Sequence, residues 1–158
     1  MLNSPYKDYI KEDLIQLSCN TDDFNPQNYE YISDKLFAAG ALDVWLTPIH
    51  MKKSRSANTL SALLRPESRA VCLDIIFRET TTLGIREEQI VRWSLNREFK
   101  TVHTPYGDIS CKIARRGDEI LNISAEYEDC RRAAARNDVP LKSIQREVIA
   151  LAWAEFDR

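Results

Sequence analysis

The run Phe77-Arg78-Glu79-Thr80-Thr81-Thr82-Leu83-Gly84-Ile85-Arg86 marks where a helical pattern stops and a strand pattern begins. Upstream, Pro66 opens a helix whose Ala70, Leu73, Ile76 and Phe77 fall on one side, the spacing of a buried stripe. Downstream, residues 85–95 alternate, with Val91, Trp93 and Leu95 on one face, as a strand requires. Gly84 reads as the residue that turns the chain with positive φ at little steric cost. The run thus predicts the last helix-to-strand step of a larger pattern.

That pattern emerges on moving toward the amino terminus. Residues 1–11 read as a polar lead-in, and residues 14–19 as a first strand with Ile15, Leu17 and Cys19 on one face. Residues 20–24 form a loop. Asn25-Pro26 opens a helix carrying Tyr29, Ile32, Leu36 and Phe37, and Gly40 ends it;. Residues 42–51 make a second strand, in which Pro48 predicts an edge position. A basic loop over 52–58 leads to a third strand over 59–64. The order is β-α-β-β-α-β, that of a ferredoxin-like split βαβ unit. Such a unit leaves one sheet face for a partner or the remaining chain to cover.

After it, residues 99–104, 108–114 and 119–124 predict a three-stranded meander, with turns at Pro105-Tyr106-Gly107 and at 115–118. Two helices follow: 126–136, with Tyr127, Cys130 and Ala134 on one side, and one opened by Pro140. The last has the stripe Leu141, Ile144, Val148 and Leu151, widened by Ile149, Trp153 and Phe156. The width suits either a homo-oligomer contact or deep packing within one subunit. The predicted class is α+β, with a ferredoxin-like subdomain over 12–97 and a meander plus two-helix subdomain over 98–158.

Composition narrows the function. The chain has 158 residues, 44% hydrophobic and 29% charged, ordinary for a globular protein with its own core. Its net charge of −2 argues against nucleic-acid wrapping as the main task. No apolar run nears the ~20 residues of a membrane span, and the start has no signal-peptide core. A cytoplasmic location is the expectation. Cys19, Cys72, Cys111 and Cys130 lack C-x-x-C spacing and read as reduced small hydrophobes;. With His50 and His103 the only histidines, neither a His-rich metal site nor a Ser-His-Asp triad is credible.

Four clusters could carry chemistry. Asp22-Asp23 at a strand exit suits a hard divalent ion shared with phosphates, and equally the charge preference of a helix start. Lys52-Lys53-Ser54-Arg55 suits a polyphosphate, or a solvated hairpin tip. The Thr80-Thr81-Thr82 turn, with Arg78 and Arg86, offers hydroxyls, backbone donors and guanidinium forks to phosphate, or is a plain helix stop. Residues 124–129 gather Glu126, Glu128 and Asp129 at a helix start beside Tyr127, through dipole matching or to serve a base and a metal. Together they suit a metal–nucleoside triphosphate. No G-x-x-x-x-G-K-[ST] loop or dinucleotide fingerprint is present.

Several segments resemble the carboxy-terminal domain of the LarC family: residues 20–26, 35–44, 47–53 and 76–86, Thr104-Pro105-Tyr106-Gly107, and 124–130. They occur in family order over most of residues 13–145. The chain departs from the family at Thr21, usually Ile, and at Arg55-Ser56-Ala57, usually Arg-Pro-Gly. The family's larger amino-terminal domain, a partner the resemblance implies, is absent from this sequence.

The resemblance implies a CTP-dependent nickel chelatase, a lyase of lactate racemase maturation. It would insert Ni²⁺, as substrate, into pyridinium-3,5-bisthiocarboxylic acid mononucleotide. CTP would be split to CMP and pyrophosphate with Mg²⁺ or Mn²⁺ as the required ion. Asp22 and Asp23 would hold that ion and act with Arg86 as catalytic residues, with Glu128 a further metal ligand. Lys52, Lys53, Arg55, Arg78, Thr80, Thr81 and Thr82 would bind phosphates, with Glu79 and Glu126 as lesser candidates. The alternative is a non-catalytic ferredoxin-like module that binds a regulatory ligand.

Overall fold

A computed structural model describes residues 7–157. The chain divides into two compact units, one Lys11–Arg92 and the other Trp93–Arg158 together with the residues up to Ile10.

The first unit contains β1 (Tyr9–Thr21, from Lys11 on), α1 (Asn28–Ala38), β2 (Ala41–Met51), β3 (Arg55–Leu64), α2 (Arg69–Glu79) and the start of β4 (Arg86–Thr104). Its strands lie in the order β2-β3-β1-β4, the ferredoxin-like arrangement that the sequence predicts. β3 runs antiparallel to both β1 and β2, with Leu17 opposite Ala62 and Cys19 opposite Leu60. Because strand side chains alternate, Ile15, Leu17 and Cys19 share one face with Leu60, Ala62 and Leu64. Ile32 and Leu36 of α1 and Cys72 and Ile76 of α2 close over it, and every one of these is at most 4% exposed. The opposite face carries Ser18, Asn20, Thr59 and Ser61, a polar stripe in which Ser18 and Ser61 are buried.

Several boundaries differ from expectation, each for a local reason. β1 begins at Tyr9 instead of 14, so the end of the polar lead-in is strand. β3 starts at Arg55 rather than 59, because Arg55 pairs with Met51 and Ser56 with His50 across a three-residue turn. Asn25 is not the cap of α1. It builds a turn, its side chain accepting from the Gln27 N–H at 3.1 Å and its carbonyl from the Asn28 N–H at 3.0 Å, so the helix starts later. A single-turn 3-10 segment, Pro66–Ser68, likewise precedes α2. Phe37 and Phe77 are each 48% exposed, and Ala70 is exposed too, so they lie outside the buried stripes. Pro48 does sit on an edge strand, since β2 ends the order.

In the second unit, β4 continues into β5 (Gly107–Arg116) and β6 (Glu119–Ala125) as an antiparallel meander. The two strands expected over 85–95 and 99–104 are one. Asn96, Arg97 and Glu98 keep the ladder by pairing with Arg115, Ala114 and Ile113, and Arg115 donates to Glu98 at 3.2 Å. α3 (Tyr127–Asn137) and α4 (Leu141–Phe156) pack on Val102, Ile109, Cys111 and Ile113 through Cys130, Ala133, Ile144, Val148 and Ala152. Tyr127 and Leu151 face outward, contrary to the expected stripes, with Ala133 and Ala152 taking the inward positions. All four cysteines are free and buried. Burial, with smaller contributions from Cys130 and Asp129, pushes the Cys111 thiol up to about 11, leaving it uncharged and unreactive at neutral pH.

Gly40, after α1, has φ +96, and an added Cβ would lie 2.6 Å from Ser68 Oγ. Gly40→Ala should lose about 1–2 kcal/mol, chiefly from the left-handed backbone, in urea unfolding. Ser68→Ala should recover only the smaller, steric part.

Candidate functional site

Strand β1 ends at Thr21, and the two acids that follow reach different turns. Asp22 accepts from Arg55 Nη1 at 2.8 Å, next to the Lys52–Ser54 turn between β2 and β3. Asp23 accepts from the Thr81 hydroxyl at 2.5 Å, in the segment joining α2 to β4. Paired acids, basic turn and threonine turn thus belong to one cluster within the first unit. The Arg55 hydrogen bond, more than its charge, holds the Asp22 carboxyl below the ordinary 3.8, and Lys52 adds a smaller pull. Asp22 is ionised at neutral pH.

The basic turn is tight. Lys53 and Ser54 have φ 62 and 55 without being glycine, a conformation that costs energy wherever no glycine supplies it. Lys52, Lys53 and Arg55 are exposed around it.

The threonine turn is organised by its own hydroxyls. Thr80 Oγ1 donates to the Ile76 carbonyl at 2.8 Å and accepts from the Thr82 N–H at 3.2 Å. Thr82 Oγ1 donates to the Gly84 carbonyl at 2.9 Å. The helix therefore ends at Glu79 through Thr80, and the expected glycine stop is not the device. Gly84 is not among the positive-φ residues, and a Cβ there would meet nothing within 4 Å.

Arg86 lies on the polar sheet face. It donates through Nε to Ser18 Oγ at 3.2 Å and through Nη2 to Asn20 Oδ1 at 2.8 Å, and Thr59 donates to the same Asn20 oxygen at 2.8 Å. Ser18, Asn20 and Thr59 escaped the sequence reading. Asn20 had only its nearness in sequence to the Asp22-Asp23 pair as a signal, and Ser18 and Thr59 had none.

Other candidates lie elsewhere. Arg78 Nε bonds both oxygens of Asp74 at 2.8 Å on the exposed side of α2. Glu79 takes Lys35 at 2.6 Å and so ties α1 to α2. Glu128 belongs to the second unit, at the start of α3, paired with Arg131 at 2.8 Å. Glu126 stands just before that helix. Among the described residues no three His, Cys, Asp or Glu side chains gather as a metal cage, and no helix is long and apolar enough to cross a membrane.

A pocket of about 390 Å³ adjoins Asp22. It lies between the segment linking β1 to α1, which supplies Phe24 and Pro26, and the outer end of the β2–β3 hairpin, which supplies Pro48, Ile49, His50 and Asn58.

The sequence profile of the nickel insertion protein family matches residues 2–145. The chain is 40% identical over 132 residues to the pyridinium-3,5-bisthiocarboxylic acid mononucleotide nickel insertion protein of Clostridium kluyveri, covering 84% of this chain and 33% of that protein. It spans about a third of the length of the curated relatives it matches. Among solved structures it is similar to LarC2, the C-terminal domain of a cyclometallase involved in synthesis of the NPN cofactor of lactate racemase. The TM-score is 0.84 and the identity 32%, over 94% of this chain and all of that one. Protein MK0293 from Methanopyrus kandleri AV19 shares the fold, with TM-score 0.69 and 22% identity over 90% of this chain and 88% of that one.

Because Arg55 depresses Asp22, the stabilisation from their pairing is complete at neutral pH and is lost as pH falls through Asp22's folded value. A carbon-detected NMR titration should place the Asp22 midpoint below 3.8, and in Arg55→Ala it should return to the ordinary aspartate range.

Proposed function

The chain belongs to the nickel insertion protein family, and from that premise we propose that it is the CTP-handling, catalytic part of a nickel insertion enzyme. The substrate is pyridinium-3,5-bisthiocarboxylic acid mononucleotide, and nickel is the metal inserted into it. The observation that carries the reading is the convergence at Asp22 and Asp23, whose hydrogen bonds draw Arg55 and Thr81 into one polar cluster.

The donor set fits the divalent ion that a triphosphate brings. Two adjacent carboxylates offer hard oxygens, and the remaining positions go to phosphates and water, the usual division for Mg²⁺. Asp22 and Asp23 would hold Mg²⁺ or Mn²⁺, which would supply charge neutralisation to the phosphates.

The chain's own groups do the rest. Arg55, Lys52 and Lys53 bind the triphosphate's outer oxygens, and Arg55 exchanges its carboxylate partner for phosphate. Thr80, Thr81 and Thr82 hold the phosphate chain through hydroxyls and backbone N–H groups. Arg86, fixed by Ser18 and Asn20, faces the charge that develops at the α-phosphorus. A nucleophilic atom of the substrate bonds to that phosphorus as its bond to the bridging oxygen breaks, and pyrophosphate leaves with the electron pair. The cytidylylated substrate then takes up Ni²⁺ through two sulfurs and one carbon, that carbon giving up its proton to solvent, and water cleaves the phosphorus–substrate bond to release CMP. Because the sulfurs are the substrate's own, the chain needs no Cys/His cage. The family's amino-terminal domain is a partner in this scheme, and Arg78 and Glu128 have supporting places at most.

In a thermal-shift panel with Mg²⁺ and each nucleoside triphosphate, CTP should stabilise selectively, by about 2.7 kcal/mol at a hundredfold excess over Kd. Indifference to all four would favour a non-catalytic module. The double variant Asp22→Asn/Asp23→Asn should keep the parent far-ultraviolet circular dichroism and lose the CTP shift. Gly84→Ala should leave stability within about 0.5 kcal/mol of the parent, because nothing in the chain needs that glycine. If phosphate approaches the backbone there, the same change weakens CTP binding measured by calorimetry.

A further inference from the structure

A hollow at the end of the β4–β5 ladder has no part in the reaction proposed above, and we propose that it binds a small phosphorylated anion through Arg97, Arg115 and Asn96. The inference goes beyond nickel insertion and does not depend on it.

Asn96, Arg97, Glu98 and Arg115 line a cavity of about 250 Å³. Small-molecule sites run from about 300 Å³ upward, so the space suits a phosphate or a short phosphate ester rather than a nucleoside triphosphate. All four residues belong to the second unit. Asn96 and Arg115 form the last rung of the ladder. The pairing of β5 with β6 shifts register between Ala114 and Arg115, and an irregularity of that kind re-aims the side chain it carries.

The Arg115 guanidinium is held in place. Its Nε donates to Glu98 Oε1 at 3.2 Å and its Nη1 to the Asp118 carbonyl at 3.1 Å, which leaves Nη2 for a ligand. Glu98 is a weak obstacle to an anion. The Arg115 hydrogen bond, with a smaller contribution from Lys100, holds its carboxyl below the ordinary 4.5, and Lys100 Nζ lies 3.4 Å from its other oxygen. Among the described residues Arg97 and Asn96 have no side-chain partner. With the neighbouring Asp118 carboxylate counted beside Glu98, the cations Arg97, Arg115 and Lys100 still outnumber the acids. The open donors are the Arg97 fork, Arg115 Nη2 and the Asn96 amide. A carboxylate offers them two oxygens, whereas a phosphoryl group offers three and more charge.

Nitrogen-15 NMR at constant ionic strength, without divalent ions, reads the hollow through the Arg97 Nε–Hε and Asn96 amide resonances. Both should shift along saturating curves with inorganic phosphate or with glycerol 3-phosphate, and the tighter of the two identifies the ligand as free anion or ester. With acetate the shifts should stay small and linear, as screening alone gives. The two probes belong to the hollow, so phosphate held at Arg55 does not imitate the result. In Arg97→Ala, followed at Asn96, phosphate affinity should fall at least about tenfold, the worth of a charge-assisted contact, and Arg97→Lys should recover part of it. Arg97 is exposed, so the backbone amide spectrum away from the hollow should match the parent. Linear shifts common to phosphate, glycerol 3-phosphate and acetate, or unchanged affinity in Arg97→Ala, overturn the proposal.

Discussion

The alternation of β1 is the constraint on which the rest of the first unit depends. Side chains along a strand point to opposite faces in turn. Ile15, Leu17 and Cys19 therefore enter the core beneath α1 and α2, while Ser18 and Asn20 stay on the other face and receive Arg86. A slip of one residue would bury Ser18 and Asn20 under the helices and expose Leu17 and Cys19. At about 25 cal/mol per Å² of apolar surface, the core holds that register strongly. The site inherits it: the register that buries Leu17 also aims Asn20 at Arg86 and sets where Asp22 and Asp23 leave the sheet.

Two adjacent acids then do what one could not. Asp22 turns to the β2–β3 hairpin and Asp23 to the segment after α2. Those segments are far apart in sequence and meet only because β3 and β4 lie on either side of β1. The ferredoxin-like strand order thereby brings a cationic turn and a hydroxyl-rich turn to one strand exit.

The element order was legible from the sequence because it rests on large apolar residues at regular spacing. Ile15, Leu17 and Cys19, or Ile144 and Val148, declare a face by themselves. What escaped rests on backbone pairing and on polar side chains. Arg55 and Ser56 read as loop but hold ladder positions on a hairpin arm, and Asn96-Arg97-Glu98 reads as a break but is carried by pairing with β5. In the candidate site, the acids, the basic turn and the threonines were visible as local clusters. Asn20, which accepts from both Thr59 and Arg86, could be paired with them only through the strand register. The pocket was invisible, since its lining is split between the linker after β1 and two separate stretches of the hairpin.

The electrostatics of the cluster favour an ion that arrives with its ligand over one held permanently. Asp22 already has a guanidinium partner and Asp23 a hydroxyl. A lone divalent ion would have to compete with Arg55 for Asp22 and then sit beside the displaced guanidinium, where like charges repel. On the proposed function a triphosphate would remove that obstacle, because its oxygens would take Arg55 as the ion reaches Asp22 and Asp23. Ion and nucleotide would then bind cooperatively, each removing the cost the other would meet alone. Two carboxylates suffice for such a site, where a resident metal would call for a fuller protein cage.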